Sequence, residues 1–441
     1  MKQSVKHLKM LVIAVSAVFL WTCENKPDNF GKVEYDSSKR TEVHSFEPES
    51  GGLATKVFIS GSNFGTDLSK IKVYFGDMRA PVVGSDGNHL YTISPRQPDD
   101  GFYNISVVVH DDSVSFVGNE FKYNVMYIIR TISGRKGTEQ LKEGKLSEAE
   151  YHQPSTLAMD NNGNLFMSHW RVPFTIVRIN EEEDIVERLM QGSIDPDATY
   201  ALGAPTVDAD GVVSVINDNG RDYYTFDPKD DWSPRQRSIL PAGPGGTPFS
   251  VSTAHSLAAH PVTGELYTRY QSNGHLIKID PITKEGSLVI VTPSPCDSYL
   301  VFDPVNPNLL YITYSSLHFI GTYNIETKEL KSFAGRSGTP DWQDGPVDDA
   351  RFNNPNQLIV APNGNLYVAD RGNHCIRMIT LDGEGGGVVS TIIGKGGVPG
   401  YQDGNPEDAL FNNPRGVAVT PQGDIYITDL GNNVIRKLTF E

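Results

Sequence analysis

The sequence FNNPNQLIVAPNGNLYVAD at residues 352–370 recurs without gaps as FNNPRGVAVTPQGDIYITD at residues 411–429. The loops that lead into the two copies also match, as WQDG at 342–345 and YQDG at 401–404. Each copy contains an apolar strand, a turn rich in Pro, Gly and polar residues, and a second apolar strand. A strand-rich unit that is repeated along the chain predicts a β-propeller or a solenoid.

Weaker copies of the same unit run upstream of the two strong ones. They lie around Tyr151, Tyr200, His255 and Tyr299, so the chain carries six units. The last unit ends at Glu441 after its third strand, whereas an unassigned strand, YIIRTISG at 127–134, stands before the first unit. That strand is similar to the fourth strands of later units. We therefore predict that it completes the last blade and closes the ring, which removes exposed strand edges.

Short strands separated by turns also precede the repeats, and they predict a small β-sandwich. The turn GSNFG at 61–65, the strand VYFG at 73–76 and the closing FKY at 121–123 occur in the order found in an IPT/TIG domain. Residues 41–123 resemble that family. The resemblance implies an immunoglobulin-like domain that serves as a stalk or spacer, with a second binding module as the alternative.

The repeats resemble the NHL family, which has a Gly-Asn-Leu-Tyr-Val run ending in Asp and then Asn-x-x-Ile-Arg, as at 364–370 and 373–377. The resemblance implies that residues 124–441 form a six-bladed NHL-type propeller. The predicted fold class is therefore all-β: an immunoglobulin-like IPT/TIG sandwich followed by a six-bladed NHL-type β-propeller closed by an N-terminal strand. Function stays open, because it depends on the loops of a propeller.

The first residues differ in kind from the rest. Three lysines precede an apolar run, Met10–Leu20, as in a signal peptide. The sequence LWTC at 20–23 resembles a bacterial lipobox and implies that residues 1–22 are a lipoprotein signal peptide, that Cys23 is lipidated and that residues 23–40 are a tether. The alternative is a signal peptide that contains a cysteine by chance. The pattern resembles surface lipoproteins of the Bacteroidota, which implies anchoring in the outer membrane, facing outward.

Composition excludes some partners. The net charge of −16 argues against nucleic acid and anionic lipid surfaces. Beyond the N-terminus, no apolar run is long enough to span a bilayer. Besides Cys23, the sequence contains only Cys296 and Cys375, in different repeats, and we expect both to be buried free thiols.

Ligand-binding residues are expected on the face where second strands end and interblade loops emerge, since loops on a rigid ring commonly carry the site. Aligning the repeats gives one residue per blade at the end of the second strand: His169, Asn217, Tyr270, Tyr314, Asp370 and Asp429. We predict that these six line the mouth of the central channel. For the two aspartates the alternative is a loop cap that accepts backbone N–H bonds. For the other four residues the alternative is that these repeats have diverged in sequence without forming a pocket.

Neighbouring residues extend the predicted site. They are Trp170, Arg171, Asp218, Arg221, His255, Arg371 and Arg415. This mixture suits sugars, because aromatic rings cover the apolar side of a pyranose and planar polar groups bond its hydroxyls. Trp342 and Tyr401 hold matched positions in two long loops, and we expect them to be structural plugs.

Signatures of specific enzymes are not found: the sequence has no nucleophile elbow, no HExxH and no Cys/His metal cluster. By position, His169, Asn217, Asp370 and Asp429 could imitate the metal ligands of propeller lactonases, although no Glu offers a bidentate ligand there. We therefore expect no cofactor, with a calcium ion in the channel as the alternative.

The predicted function is that of a cell-surface lipoprotein that binds extracellular carbohydrate for uptake. This arrangement resembles accessory lipoproteins of Bacteroidota glycan-utilisation systems. The expected partners are a glycan or other small molecule, the membrane through the lipid anchor, and an outer-membrane transporter complex. Two alternatives stay open: a propeller enzyme (a metal-dependent lactonase, lyase or hydrolase) and a protein–protein scaffold in an outer-membrane complex.

Overall fold

The computed structural model describes residues 32–52, 54–95, 97, 99–110, 112–116, 118–170, 174–191, 201–383 and 385–440. The predicted signal peptide, Cys23 and Arg171 lie outside the described residues. The chain separates into two compact units, one ending at Val125 and the other beginning at Met126. Within the described ranges, no helix has the length and apolar character needed to cross a membrane.

The first unit is a sandwich of short strands. They are Glu42–Glu47, Ser50–Gly51, Lys56–Gly65, Ile71–Phe75, Met78–Ala80, Val82–Ser85, Gly87–Ile93, Gly101–Tyr103, Ile105–Val109, Asp112–Ser115 and Phe121–Tyr123, with a 3-10 turn at Leu68–Lys70. The strands Ile71–Phe75 and Ile105–Val109 pair in antiparallel fashion, and every second side chain of each is buried. This period of two places one face of the sheet on the core.

The second unit consists of six four-stranded antiparallel blades, and the strands of each blade follow one another from the innermost outward. Blade 1 has Pro154–Met159, Asn164–His169, Thr175–Asn180 and Ile185–Gln191; blade 2 has Leu202–Val207, Val213–Asn217, Asp222–Phe226 and Pro234–Ser238; blade 3 has Ala254–Ala259, Leu266–Tyr270, His275–Ile279 and Gly286–Val291. A 3-10 turn at Pro228–Asp230 follows the third strand of blade 2.

Blade 4 has Leu300–Phe302, Leu309–Tyr314, Phe319–Asn324 and Leu330–Gly335; blade 5 has Pro355–Val360, Leu366–Asp370, Cys375–Leu381 and Gly387–Ile393; blade 6 has Pro414–Val419, Ile425–Asp429, Val434–Phe440 and Tyr127–Gly134. A two-residue strand, Gly345–Pro346, adds to the outer edge of blade 5. The outermost strand of blade 6 therefore comes from the start of the unit and pairs with the last strand of the chain. The innermost strand of each blade neighbours that of the next blade, including blade 6 back to blade 1.

Apolar packing between neighbouring blades explains why the second strands are hydrophobic on both faces. In blades 5 and 6, all five residues of Leu366–Asp370 and of Ile425–Asp429 are buried. One cluster joins Tyr367, Ala369 and Ile376 of blade 5 to Val417 and Ile427 of blade 6. A sheet covered on both sides needs apolar residues at successive positions rather than at alternate ones.

A repeated hydrogen bond connects blades 4, 5 and 6 to the blades that follow them. Each second strand runs into a 3-10 turn, at Ser315–Leu317, Arg371–Asn373 and Leu430–Asn432, and the next residue adopts a left-handed conformation. The side chains of these left-handed residues, His318, His374 and Asn433, accept hydrogen bonds from the backbone N–H groups of Asn354, Asn413 and Gln153 at 3.1, 3.0 and 2.9 Å. We call this contact the interblade latch. It also spans the junction of blade 6 with blade 1.

Each of the two long loops with matching sequences is attached to its blade by one aromatic side chain. The indole Nε1 of Trp342 donates to the hydroxyl of Thr391 (2.9 Å), and the hydroxyl of Tyr401 bonds that of Thr131 (3.0 Å). Both threonines lie in the outermost strand of the blade concerned. These contacts agree with a plugging role for both aromatic residues. Cys296 and Cys375 are buried free thiols, as predicted.

Candidate ligand site at the mouth of the channel

The mouth of the central channel is formed where innermost strands begin and second strands end. The register places these positions together: Pro154 opposes His169, Ala254 opposes Tyr270, and Pro414 opposes Asp429. Side chains alternate across a strand, so a residue and its successor point in different directions. This alternation decides which of the predicted residues reach the channel.

The carboxylate of Asp370 is enclosed within its own blade. It accepts hydrogen bonds from the backbone N–H of Asn353, the amide of Asn373 and the guanidinium of Arg377, each at 2.8 Å. Asp370 and Arg377 are both fully buried. Burial raises the pKa of Asp370 to about 6, against the opposing charge of Arg377, and the group stays ionised at neutral pH.

Asp429 repeats this arrangement in blade 6. It accepts from the backbone N–H of Asn412 (2.8 Å), the amide of Asn432 (2.7 Å) and the guanidinium of Arg436 (3.1 Å). Burial also raises the pKa of Asp429 to about 6. The donors that surround both carboxylates favour the loop-capping role over contact with a ligand.

Three other predicted residues at strand ends also face the interior of the propeller. His169 contacts the hydroxyl of Thr175 at 2.5 Å, and burial lowers its pKa to about 3, so the ring is neutral. The hydroxyl of Tyr270 donates to the carbonyl of Gly220 (2.8 Å). Tyr314 stacks on Phe319 with ring centres 4.5 Å apart. None of these three side chains is more than 1% exposed, so they pack between blades rather than line the mouth.

Two further predicted residues, Asn217 and Arg221, flank one surface turn of blade 2. The side-chain oxygen of Asn217 accepts a bond from the backbone N–H of Asn219 (3.3 Å), which caps the turn locally. Arg221 is exposed beyond that turn.

The residues that do meet at the mouth centre on Arg415, the second residue of the innermost strand of blade 6. Its Nη2 donates to the hydroxyl of Tyr299 (2.7 Å), and its Nε donates to the side-chain oxygen of Asn356 (3.2 Å). Its guanidinium carbon lies 3.6 Å from the centre of the Trp170 ring, a cation–π contact. Arg415 is 2% exposed, and its Nη1 has no hydrogen-bond partner among the described residues. One side chain thus connects blades 1, 4, 5 and 6.

His255 forms a second centre beside Trp170, with ring centres 6.1 Å apart. Its Nε2 lies 3.1 Å from a carboxylate oxygen of Asp297, and its Nδ1 lies 3.5 Å from one of Asp218. The amide of Gln271 also donates to Asp297 (2.5 Å). The imidazole is therefore held between two carboxylates.

We define the mouth cluster as Trp170, Asp218, His255, Gln271, Asp297, Tyr299, Asn356, Arg371 and Arg415. Its charges influence one another. Burial raises the pKa of Asp218 although His255 opposes the change. Burial would also raise the pKa of Asp297, but the hydrogen bond and charge of His255 outweigh it, and the pKa is lowered. Burial and then repulsion by Arg415 lower the pKa of Arg371. The cluster thus places charges of both signs around one partly buried indole.

Five of the predicted residues are brought together here: Trp170, Asp218, His255, Arg371 and Arg415. The sequence-based prediction missed Gln271, Asp297, Tyr299 and Asn356. Asn356 and Arg415 are each the second residue of their innermost strands, and His255 holds the same place in blade 3. A position-by-position comparison of the repeats could therefore have found Asn356.

The opposite end of the channel has a different character. A cavity of about 530 Å³ lies among the final residues of the innermost strands, with aliphatic side chains such as Met159, Val207, Val360 and Val419 in its wall. Tyr299 lines this cavity and also bonds Arg415. Polar residues, among them Asp160, Asn161 and Thr206, also line this cavity.

A metal centre is not built from the described part of the chain. Within it, no group of three or more His, Cys, Asp or Glu side chains is arranged to hold a metal ion. Asp370, Asp429, Asn217 and His169, the four positions that could imitate lactonase ligands, belong to separate blades.

Fold and repeats together define a two-domain β-protein in which an immunoglobulin-like domain precedes a propeller. Residues 42–123 match the IPT/TIG domain, and residues 352–377 and 411–438 match the NHL repeat. The chain therefore carries an IPT/TIG domain and NHL repeats, as the resemblances implied.

Curated relatives match only part of the chain. Over 155 residues the chain is 37% identical to Protein SUPPRESSOR OF QUENCHING 1, chloroplastic, of Arabidopsis thaliana, which covers 33% of this chain and 14% of that protein. Over 88 residues it is 38% identical to NHL repeat-containing protein 2 of Gallus gallus, covering 20% of this chain and 11% of that protein. The chain therefore spans only a small part of these relatives.

Solved structures match nearly the whole chain. An auxiliary nutrient binding protein from Bacteroides ovatus has a TM-score of 0.72 at 24% identity, covering 93% of this chain and 100% of that one. A second auxiliary nutrient binding protein, from Bacteroides thetaiotaomicron, has a TM-score of 0.62 at 26% identity, covering 92% and 99%. A Bacteroides thetaiotaomicron protein of unknown function has a TM-score of 0.65 at 28% identity, covering 93% and 100%.

Proposed function

We propose that this chain is a nutrient-binding protein that captures extracellular carbohydrate at the mouth cluster. The observation that carries the proposal is the convergence of one indole with amide, carboxylate, imidazole and guanidinium groups, to which each of the six blades contributes. The auxiliary nutrient binding protein of Bacteroides thetaiotaomicron, similar over nearly the whole chain, supports the general class. The carbohydrate specificity rests on the chemistry of the mouth cluster.

That chemistry fits a polyhydroxylated ligand. Sugar hydroxyls both donate and accept, so they pair well with groups of each kind. Asp218 and Asp297 supply acceptors, whereas Gln271, Asn356 and Arg371 supply donors. Trp170 is half-buried, with Arg415 over one face, so part of its indole is left for contact with the apolar side of a sugar ring.

We further propose that the chain is an outer-membrane lipoprotein, anchored through Cys23 and facing outward, that delivers its ligand to a transporter complex. The support is the lysine-rich start, the apolar run and the cysteine that ends it. The IPT/TIG domain would then lie between anchor and propeller in the sequence and act as a spacer. Incorporation of a radiolabelled fatty acid, lost in Cys23→Ala, tests the anchor; labelling that persists in this variant would contradict it.

Binding is tested by affinity gel electrophoresis and calorimetry of the full-length chain in detergent, against a panel of neutral and acidic polysaccharides. We expect at least one polysaccharide to bind, and Trp170→Ala to lose that binding. Trp342→Ala is the matched control, because this indole is 47% exposed in a loop outside the mouth cluster. A folded chain that binds no polysaccharide would overturn the proposal.

A second candidate is an enzyme that acts on the same ligand. The observation in its favour is the imidazole of His255 held between Asp297 and Asp218, since a histidine oriented by a carboxylate can transfer protons. Incubation with each bound glycan, followed by mass analysis, would reveal new reducing ends or unsaturated products. Products that disappear in His255→Ala would favour the enzyme, and unchanged glycans would favour capture alone.

A further inference from the structure

We propose that the captured carbohydrate is acidic and that Arg371 and Arg415 bind its oxyanion, the carboxylate of a uronic acid or a sulfate ester. The inference rests on the proposed function and names its ligand class. It follows from two guanidinium groups at the mouth that lack acceptors for some of their donors.

Arg415 provides the first observation. Its Nε and Nη2 have acceptors in Asn356 and Tyr299, whereas its Nη1 has no partner among the described residues. The residue is 2% exposed, so solvent has little access to that nitrogen. A buried donor of a charged group that lacks an acceptor is costly, and native proteins rarely tolerate it without a bound ion, ligand or water.

Arg371 provides the second observation, from the adjacent blade. It is half-buried at the first position after the second strand of blade 5, and its side chain makes no hydrogen bond or ion pair within the described part of the chain. Arg415 repels it, which contributes to the lowered pKa of Arg371. Two like charges placed side by side are relieved by an anion that both can bind.

The nearby carboxylates do not fill this role. Asp297 interacts with His255 and Gln271, Asp218 faces the other nitrogen of the imidazole ring, and neither carboxylate accepts a hydrogen bond from an arginine among the described residues. Both carboxylates interact electrostatically with Arg415, and Asp297 also with Arg371, but the two guanidinium groups keep N–H donors without an acceptor among the described residues. A ligand with one oxyanion and several hydroxyls would fit in one orientation, since planar guanidinium groups match the geometry of carboxylate and sulfate oxygens.

The test compares matched glycans by calorimetry on the full-length chain in detergent. The probes are oligogalacturonate and its methyl ester, a sulfated galactan oligosaccharide that contains no uronic acid and its unsulfated galactan counterpart, beside sodium acetate and sodium sulfate alone. We expect one acidic oligosaccharide to bind about tenfold or more tightly than its uncharged counterpart, as charge-assisted hydrogen bonds require. Which acidic probe binds distinguishes a carboxylate from a sulfate ester.

Variants locate the oxyanion. Arg371→Gln, which alters a half-buried side chain, should remove most of the preference for the acidic probe, so that the acidic probe and its uncharged counterpart bind with affinities within about twofold of each other. Arg371→Lys should retain part of the preference. Arg235→Gln is the control, because Arg235 is exposed on the outer strand of blade 2, and this variant should retain the whole preference. Thermal melting checks that each variant is folded.

Three outcomes separate the two proposals. Equal affinity for acidic and uncharged glycans, or an Arg371→Gln variant that keeps the preference, would overturn the acidic ligand while carbohydrate capture stands. Binding of acetate or sulfate alone, without any oligosaccharide, would support the anion site and overturn carbohydrate capture. A folded chain that binds none of the probes would overturn both.

Discussion

Blades 5 and 6 end their second strands differently from blades 1, 3 and 4. In blades 5 and 6 the last residue is an aspartate paired with a buried arginine, whereas His169, Tyr270 and Tyr314 hold this place in the other three. All of these side chains are buried, whatever their chemistry. The comparison shows that this position serves packing and that a change of residue type there does not create a pocket.

In blades 5 and 6 the ion pair also holds the loop that precedes the blade. Arg377 donates to the carbonyls of Gln343 and Arg351 (2.7 and 2.8 Å) and to the carboxylate of Asp344 (2.6 Å), so it holds the loop that precedes blade 5. Arg436 does the same for the loop before blade 6, through the carbonyls of Gln402 and Leu410. The aspartate of each blade neutralises and orients that arginine.

The largest effect is therefore expected from Asp370→Ala. The substitution leaves the fully buried guanidinium of Arg377 without its buried partner, which should lower the free energy of unfolding by about 3–5 kcal/mol. Denaturant unfolding of the full-length chain measures the change.

The matched control for this comparison is Asn217→Ala, at the same position of blade 2. Asn217 is half-buried and caps only its own turn, so we expect a loss of about 0.5–1 kcal/mol. Equal losses in the two variants would contradict the view that the ion pair distinguishes blade 5 from blade 2.

Much of the fold could be predicted from the sequence, because the two strong repeats fix strand length, turn position and blade count. The site could be predicted only in part. The alignment selected the last residue of each second strand, and most of these side chains are buried. The prediction also named the residues that follow them, Trp170, Asp218 and Arg371, and these belong to the mouth cluster because successive side chains alternate in direction.

Two residues were out of reach of the alignment for a different reason. The innermost strand of blade 4 is short, only Leu300–Phe302, and its repeat is weak. Asp297 and Tyr299 therefore lie before the strand that a repeat pattern would recognise. Their contacts with His255 and Arg415 depend on how the blades face each other across the channel, which no local pattern records.

Acid should destabilise the propeller through His169, which holds the same strand-end position in blade 1. The pKa of His169 is lowered by burial to about 3, below the ordinary value of 6.5, so the folded state disfavours the proton. The stability associated with the neutral ring is present above pH 6.5 and is lost as the pH falls toward 3. Between pH 7.5 and pH 5 the free energy of unfolding of the wild type should therefore fall by about 2 kcal/mol more than that of His169→Gln.

Comparison of the two proteins by denaturant unfolding across this pH range isolates the histidine. Asp370 and Asp429, whose pKa values are raised to about 6, have the opposite effect on the pH dependence. This effect is present in wild type and in His169→Gln, so it cancels when the two free energies of unfolding are subtracted. Parallel pH profiles for wild type and His169→Gln would contradict a neutral, buried His169.

The smallest effect is expected at the interblade latch, where blade 6 meets blade 1. Asn433→Ala removes the acceptor for the backbone N–H of Gln153 and the amide that donates to the carbonyl of Thr138, and it places a Cβ-bearing residue without a polar side chain at a φ of 60°. The two lost hydrogen bonds and the left-handed conformation together should cost about 1–2 kcal/mol, measured by denaturant unfolding. Asn433→Gly tolerates the backbone but lacks the acceptor, so it should recover roughly half of that loss.

His374→Ala, at the equivalent latch between blades 5 and 6, loses one side-chain hydrogen bond instead of two and should therefore cost slightly less than Asn433→Ala. If unfolding experiments show a much larger loss for Asn433→Ala alone, the junction between blades 6 and 1 depends on its latch more than the junction between two strong repeats does. The weak repeats would then differ from the strong ones in how the ring is held together as well as in sequence.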